Sequence, residues 1–193
     1  MKEFINGYAD TIDAVLRGLD PDQFQAMIRI LAEAYRADRQ VFIAGNGGSA
    51  GTTNHFVCDL GKNAVQGKGK RRFRILSVCD NVEKITALGN DIAFEETFRF
   101  QLENLMRTGD VLIVVSASGN SPNIVRACEF AQEIESPIIA LAGFDGGKVK
   151  SLADACLVAP LTSYEQIEDI HLAILHMVVC YLKEHQELLI KGS

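Results

Sequence analysis

The sequence has no tryptophan, only 4 prolines in 193 residues, and no CxxC pair among its 5 cysteines. An odd cysteine count without paired spacing speaks against a disulfide framework and for a reducing compartment, the cytoplasm. Cys79, Cys128, Cys156 and Cys180 sit among apolar neighbours, where a free thiol serves as a small core residue. Cys58 stands apart from them, and packing is its better reading. No apolar run approaches the ~20 residues that a membrane span needs, and the opening MKEFINGYADTID has no apolar signal core. Positive charge is also in deficit, with 19 Lys and Arg against 25 Asp and Glu, a net charge of −6. Such a chain is a poor non-specific partner for nucleic acid or anionic membrane. The one basic cluster, Lys62 to Arg74, reads as a solvated loop, with a cationic rim for an anionic substrate as the sharper alternative. There is no internal repeat, low-complexity segment or interdomain linker, so residues 1–193 read as one domain.

Periodicity fills in the rest. Residues 2–17 place Phe4, Ile5, Tyr8, Ile12, Val15 and Leu16 at helical spacings. Asp20 reads as an N-cap with Pro21 at the first position of a second helix, to about Arg36. From there short apolar runs at 41–44, 73–76, 111–115, 137–141 and 155–159 alternate with helical patterns at 49–62, 81–106, 121–134, 146–152 and 163–188. Strands alternating with helices imply right-handed crossovers and a parallel sheet covered on both faces. The run Val111-Leu112-Ile113-Val114-Val115 is what a doubly buried strand looks like. Residues 1–37 are expected to serve assembly, and 38–190 to form the α/β core.

Two strand-to-helix junctions carry the chemistry: Gly45-Asn46-Gly47-Gly48-Ser49 and Ser116-Ala117-Ser118-Gly119-Asn120-Ser121. In a parallel sheet such junctions lie at the carboxyl ends of strands, where ligands bind. Glycines let the backbone approach an anion, the helix N-terminus offers unpaired N–H groups, and serine hydroxyls add donors. One loop of this kind is ordinary turn and cap chemistry. Two in one sheet point to a phosphate monoester. Neither matches GxxxxGK[ST] or GxGxxG, which disfavours a nucleotide cofactor.

These loops, with His55-Phe56 after the first and Asp145-Gly146-Gly147-Lys148 after the second, resemble the SIS-domain phosphosugar isomerases, above all the phosphoheptose isomerase group. The resemblance covers nearly the whole chain. It implies a three-layer α/β sandwich around a five-stranded parallel, flavodoxin-like sheet, and a homotetramer with active sites at subunit interfaces. The activity implied is aldose–ketose isomerisation of a phosphorylated sugar, sedoheptulose 7-phosphate to glycero-manno-heptose 7-phosphate, through an enediol. A non-catalytic SIS protein, either a phosphosugar sensor or an assembly factor at a replication initiator, is the alternative.

Such an isomerase needs a base, an acid and an anchored phosphate. His55 and Asp59 are four apart and share a helix face. Downstream, Glu165, Glu168, Asp169, His171 and His176 lie in SYEQIEDIHLAILHMVV. Read without relatives, His176 is a core side chain, and Glu165, Glu168 and Asp169 are a solvated first turn. The resemblance assigns Asp59 and His176 to catalysis, and His171 matches a family histidine. It assigns Asn46, Gly47, Gly48, Ser49, Asn90, Asp91, Ser116, Ala117, Ser118, Ser121, Glu165 and Glu168 to the substrate. It further implies that one zinc ion per site can be held by His55, Asp59, Glu168 and His176. Asp59 replaces a family glutamate, Glu168 a glutamine and Ala117 a threonine. The segment Asn63–Arg72 and the loop Leu161–Glu165 are expected to read the sugar hydroxyls.

Overall fold

The run at 111–115 does become a strand buried along its whole length. In the computed structural model, which describes residues 1–67 and 70–190, every residue of β3 (Val111–Ser116) is buried. Around it lie β1 (Gln40–Gly45), β2 (Arg74–Ser77), β4 (Ile138–Gly143) and β5 (Ala155–Ala159), all parallel, in the order β2-β1-β3-β4-β5. This is the expected flavodoxin-like order. Gly45 pairs with Val115 and Ser116 with Ala142, so β1, β3 and β4 end at one level.

Alternation along the strands divides the core in two. Val41, Ile43, Val111 and Ile113 face α2 (Pro21–Arg36), α3 (Gly48–Asn63) and α8 (Tyr164–Glu184). Phe42, Ala44, Leu112 and Val114 face α5 (Thr97–Leu105) and α6 (Pro122–Glu133). Asp20 caps α2 as expected, accepting from the N–H groups of Asp22 and Gln23 at 2.9 and 3.3 Å. By contrast, α1 (Lys2–Arg17) has no buried residue and leaves Phe4 and Ile5 exposed. It leans on α8, where the Tyr8 hydroxyl donates to Asp169 at 2.7 Å.

Three helical expectations change. The stretch 81–106 is broken into α4 (Val82–Asp91), a 3-10 turn (Phe94–Glu96) and α5, because Ala93 is extended at φ −167° and Phe94 folds back against Gly89. The stretch 146–152 keeps only α7 (Val149–Leu152), since Gly146 and Gly147 take left-handed conformations. The last helix ends at Glu184 and tightens into a 3-10 turn, Gln186–Leu189. The cysteines divide differently too. Cys79 and Cys128 are buried, Cys156 is half-buried, and Cys58 and Cys180 are exposed. Cys58 lies ~200° round α3 from Phe56 and Leu60, the residues that pack. Among the described residues no helix is long and apolar enough to cross a membrane.

The core histidine of α8 is His171, not His176. His171 is fully buried, and neither ring nitrogen has a hydrogen-bond partner. Burial pushes its pKa down to about 4, partly offset by the Ala142 backbone beside the ring, which completes no hydrogen bond to it. A histidine whose folded pKa is depressed binds fewer protons folded than unfolded, so stability falls as pH drops from about 6.5 toward 4. His171 alone is expected to remove about 2 kcal/mol of stability between pH 7.5 and 5. Urea unfolding of the protein and of His171→Leu at both pH values checks this. The variant should lose less on acidification, and parallel losses would contradict it.

Candidate active site

The first loop is shaped by what sits over it. Gly48 opens α3, and a Cβ there would stand 2.7 Å from Oε1 of Glu168, which reaches across from α8. Glycine is what lets this carboxylate lie against the helix N-terminus, where the peptide dipoles favour negative charge. Ser49 is buried behind it. The base of the loop is gripped by Cys79: the Gly45 N–H donates to its sulfur and the thiol donates to the Gly45 carbonyl, both at 3.1 Å.

The second loop leaves β3 at Ser116 and is braced by the Asp145–Lys148 turn. Asn120 accepts from the Lys148 N–H at 3.0 Å and donates to the Ser118 carbonyl at 2.9 Å. Gly119 is left-handed at φ +61°, and a Cβ there would run into the Gly146 carbonyl, with its carbon 2.8 Å away. Ser121 stands at the N-cap of α6 without a side-chain capping bond, which leaves its hydroxyl for other partners. Ala117 is buried in the core and its carbonyl accepts from the Gly143 N–H at 2.7 Å, so its side chain packs beneath the loop. Asn46 of the first loop exchanges carboxamide hydrogen bonds with Asn123 of α6.

The crossing of α3 and α8 brings three titratable groups together. His55 Nε2 lies 3.1 Å from Asp59 Oδ2, His176 Nε2 lies 3.4 Å from the same oxygen, and the two ring nitrogens are 3.0 Å apart. The other Asp59 oxygen accepts from Asn63, one turn on, at 3.0 Å. The histidine side chains are about half exposed, at 51% and 45%, while Asp59 is at 21%. Ligand atoms of all three lie within 4.8 Å of one another, and two imidazoles with a carboxylate suit a zinc ion that keeps a position open. Glu168 is not part of that group. Its carboxylate belongs to the first loop.

The other expected site residues are dispersed. Glu165 accepts from the Ser163 hydroxyl at 2.9 Å and borders a cleft shared with Phe4 and Tyr8 of α1. A bond from its own backbone N–H, then that hydroxyl, holds its carboxyl below the usual range. Asn90 and Asp91 bond each other at the end of α4, at 2.8 Å. Asp169, on the His176 face of α8, is taken up by Tyr8. Residues 68 and 69, within the expected Asn63–Arg72 reader segment, lie outside the described residues. Sequence reasoning placed Asn63 only in the reader segment and Cys79 only in the core, and it missed Asn123. Spacing from Asp59 could have found Asn63, whereas the other two act over 34 and 77 positions.

The SIS-domain family matches over residues 3–143. The chain is 34% identical over 185 residues to the phosphoheptose isomerase of Helicobacter pylori, covering 95% of this chain and 94% of that one. It is 33% identical over 194 residues to that of Geobacter sp. strain M21, covering 100% and 98%. Among solved structures, the phosphoheptose isomerase GmhA of Neisseria gonorrhoeae superposes with a TM-score of 0.84 at 26% identity, over 95% of this chain and 98% of that one.

The bracing of the second loop is testable without substrate. Gly119→Ala forces a left-handed Cβ against a carbonyl that cannot rotate away, and is expected to destabilise the fold by about 2 kcal/mol or more. Urea denaturation measures this; a variant as stable as its parent would mean that the loop yields freely.

Proposed function

The chain belongs to the phosphoheptose isomerase family of SIS-domain proteins, and from that membership and the site we propose that it interconverts sedoheptulose 7-phosphate and glycero-manno-heptose 7-phosphate. The observation that carries the reading is the Asp59–His176 pair, 3.4 Å apart, in a chain that also has two serine-bearing strand-to-helix loops. Ser49, Ser116, Ser118 and Ser121 hold the phosphate with backbone N–H groups. Asn46, Gly47 and Gly48 complete the first loop, and the loop from Leu161 flanks a cleft of about 600 Å³ whose other wall includes Ser118 and Asn120. This supports the loop as a reader of sugar hydroxyls. Asn90, Asp91 and Glu165 stand as further substrate contacts in the assembled protein.

With the phosphate anchored, one of the pair takes a proton from C1 of the ketose, and the electrons move into a C1–C2 enediol. The other returns a proton to C2 while the O1 proton passes to O2, and the carbonyl is left on C1. Asp59, shorter than the family glutamate by one methylene, still reaches both histidines, and Asn63 steadies its second oxygen. His55, Asp59 and His176 would hold a zinc ion, which supplies Lewis acidity at the sugar carbonyl.

A proton-transfer pair whose histidine is about half exposed leaks to solvent, and a neighbouring subunit would close it. The unburied α1, with Phe4 72% exposed, supports a homotetramer whose sites lie at subunit interfaces, with residues 1–37 serving assembly. The uncombined cysteines support a cytoplasmic location.

An NMR assay with a panel of sugar phosphates, after chelation and with zinc restored, tests the reading. Sedoheptulose 7-phosphate is expected to turn over. Binding without turnover, with or without zinc, would identify a sensor instead. His176→Ala is expected to keep phosphosugar binding and lose about 10²- to 10⁴-fold in kcat; full activity in that variant sinks the assignment.

A further inference from the structure

Asn123 is 1% exposed, on the first turn of α6, and burying an unpaired carboxamide is unfavourable. Its partner is Asn46, 77 positions earlier. Asn46 Nδ2 donates to Asn123 Oδ1 at 2.8 Å, and Asn123 Nδ2 donates back to Asn46 Oδ1 at 2.9 Å. The second Asn123 amide proton points to Thr97 Oγ1 at 3.4 Å, and the Thr97 hydroxyl donates to the Phe94 carbonyl at 2.8 Å. Because the threonine proton is already used, Thr97 can only accept from Asn123. That sets which end of the Asn123 amide is nitrogen, and the reciprocal pair then sets the Asn46 amide. One Asn46 N–H is left over, on a half-buried side chain in the first phosphate loop.

We infer that Asn123 is a positioning residue that acts through Asn46, locking the first phosphate loop to the helix behind the second and holding the spare Asn46 N–H as a donor for the substrate phosphate. This rests on the phosphosugar reading above. The two loops spring from different strands, so without a tie each would have to be ordered as the anion binds. The carboxamide pair is a neutral tie, which adds no charge to a site built for an anion.

The test is Asn123→Asp. Ionised, the new side chain cannot donate to Asn46 Oδ1 and sets two oxygens face to face. Protonated, its O–H and carbonyl reproduce the donor and acceptor that Asn46 meets. Calorimetric titration with sedoheptulose 7-phosphate at pH 8 is expected to show affinity weakened roughly 10-fold or more, the scale of one hydrogen bond to a charged group. The variant-to-parent ratio should fall toward one at pH 5, and kcat at pH 8 should change less than KM. A purely structural role would not restore affinity on acidification. Parental affinity at pH 8, or an equal deficit at both pH values, overturns the inference. Should Asn123→Asp not fold, Asn123→Ser replaces it: weakened affinity at an unchanged melting temperature supports the tie, and unchanged affinity overturns it. A parent protein that binds no sugar phosphate would instead overturn the phosphosugar reading, a failure seen before any variant is made.

Discussion

The packing of α3 on α8 is the constraint on which the His55–Asp59–His176 cluster depends. Phe56 and Leu60 of α3 and Ile170, Ile174 and Val178 of α8 are buried in one core layer. His55 and Asp59 ride on the outer side of the first helix, and His176 on the outer side of the second. Burying the apolar stripes fixes the rotation of both helices, and the polar stripes must then meet. The same crossing carries Glu168 to the start of α3, where only a glycine leaves room for it.

The sheet imposes the other half of the geometry. Parallel strands in register end at one level, so the loops after β1 and β3 open side by side. Each then starts a helix whose first N–H groups lack partners within it. The second loop is not self-supporting. It leans on the turn after β4, through Asn120 and the close approach of Gly119 to Gly146. The resemblance included the Asp145–Lys148 motif without saying what it does, and the structure gives it the work of a brace.

Local signals were read well where one physical rule dominates. Asp20 and Pro21 mark a helix start, continuous apolar runs mark buried strands, and glycine with serine after a strand marks a tight strand-to-helix loop. The readings failed where two rules compete. The stretch 81–106 carries helical periodicity throughout, but the chain turns extended at Ala93 and Phe94 comes to lie near Gly89 instead of continuing the helix. Cys180 sits among apolar neighbours in sequence and still faces solvent, because the side of a helix, not the company along the chain, decides burial.

The histidines of α8 draw the line between the two kinds of knowledge. From the sequence alone come the alternating α/β class, the five strands, the two glycine- and serine-rich loops and a short roster of acids and histidines, since each depends on residues close together in the chain. Which histidine is core and which joins the cluster depends on the angle at which α8 meets the sheet: it buries His171 beside Ala142 and turns His176 toward Asp59. The Asn46–Asn123 tie and the Cys79 grip on Gly45 are likewise contacts across 77 and 34 positions. No local pattern encodes them, because the partners become neighbours only when the strands that carry them are laid side by side.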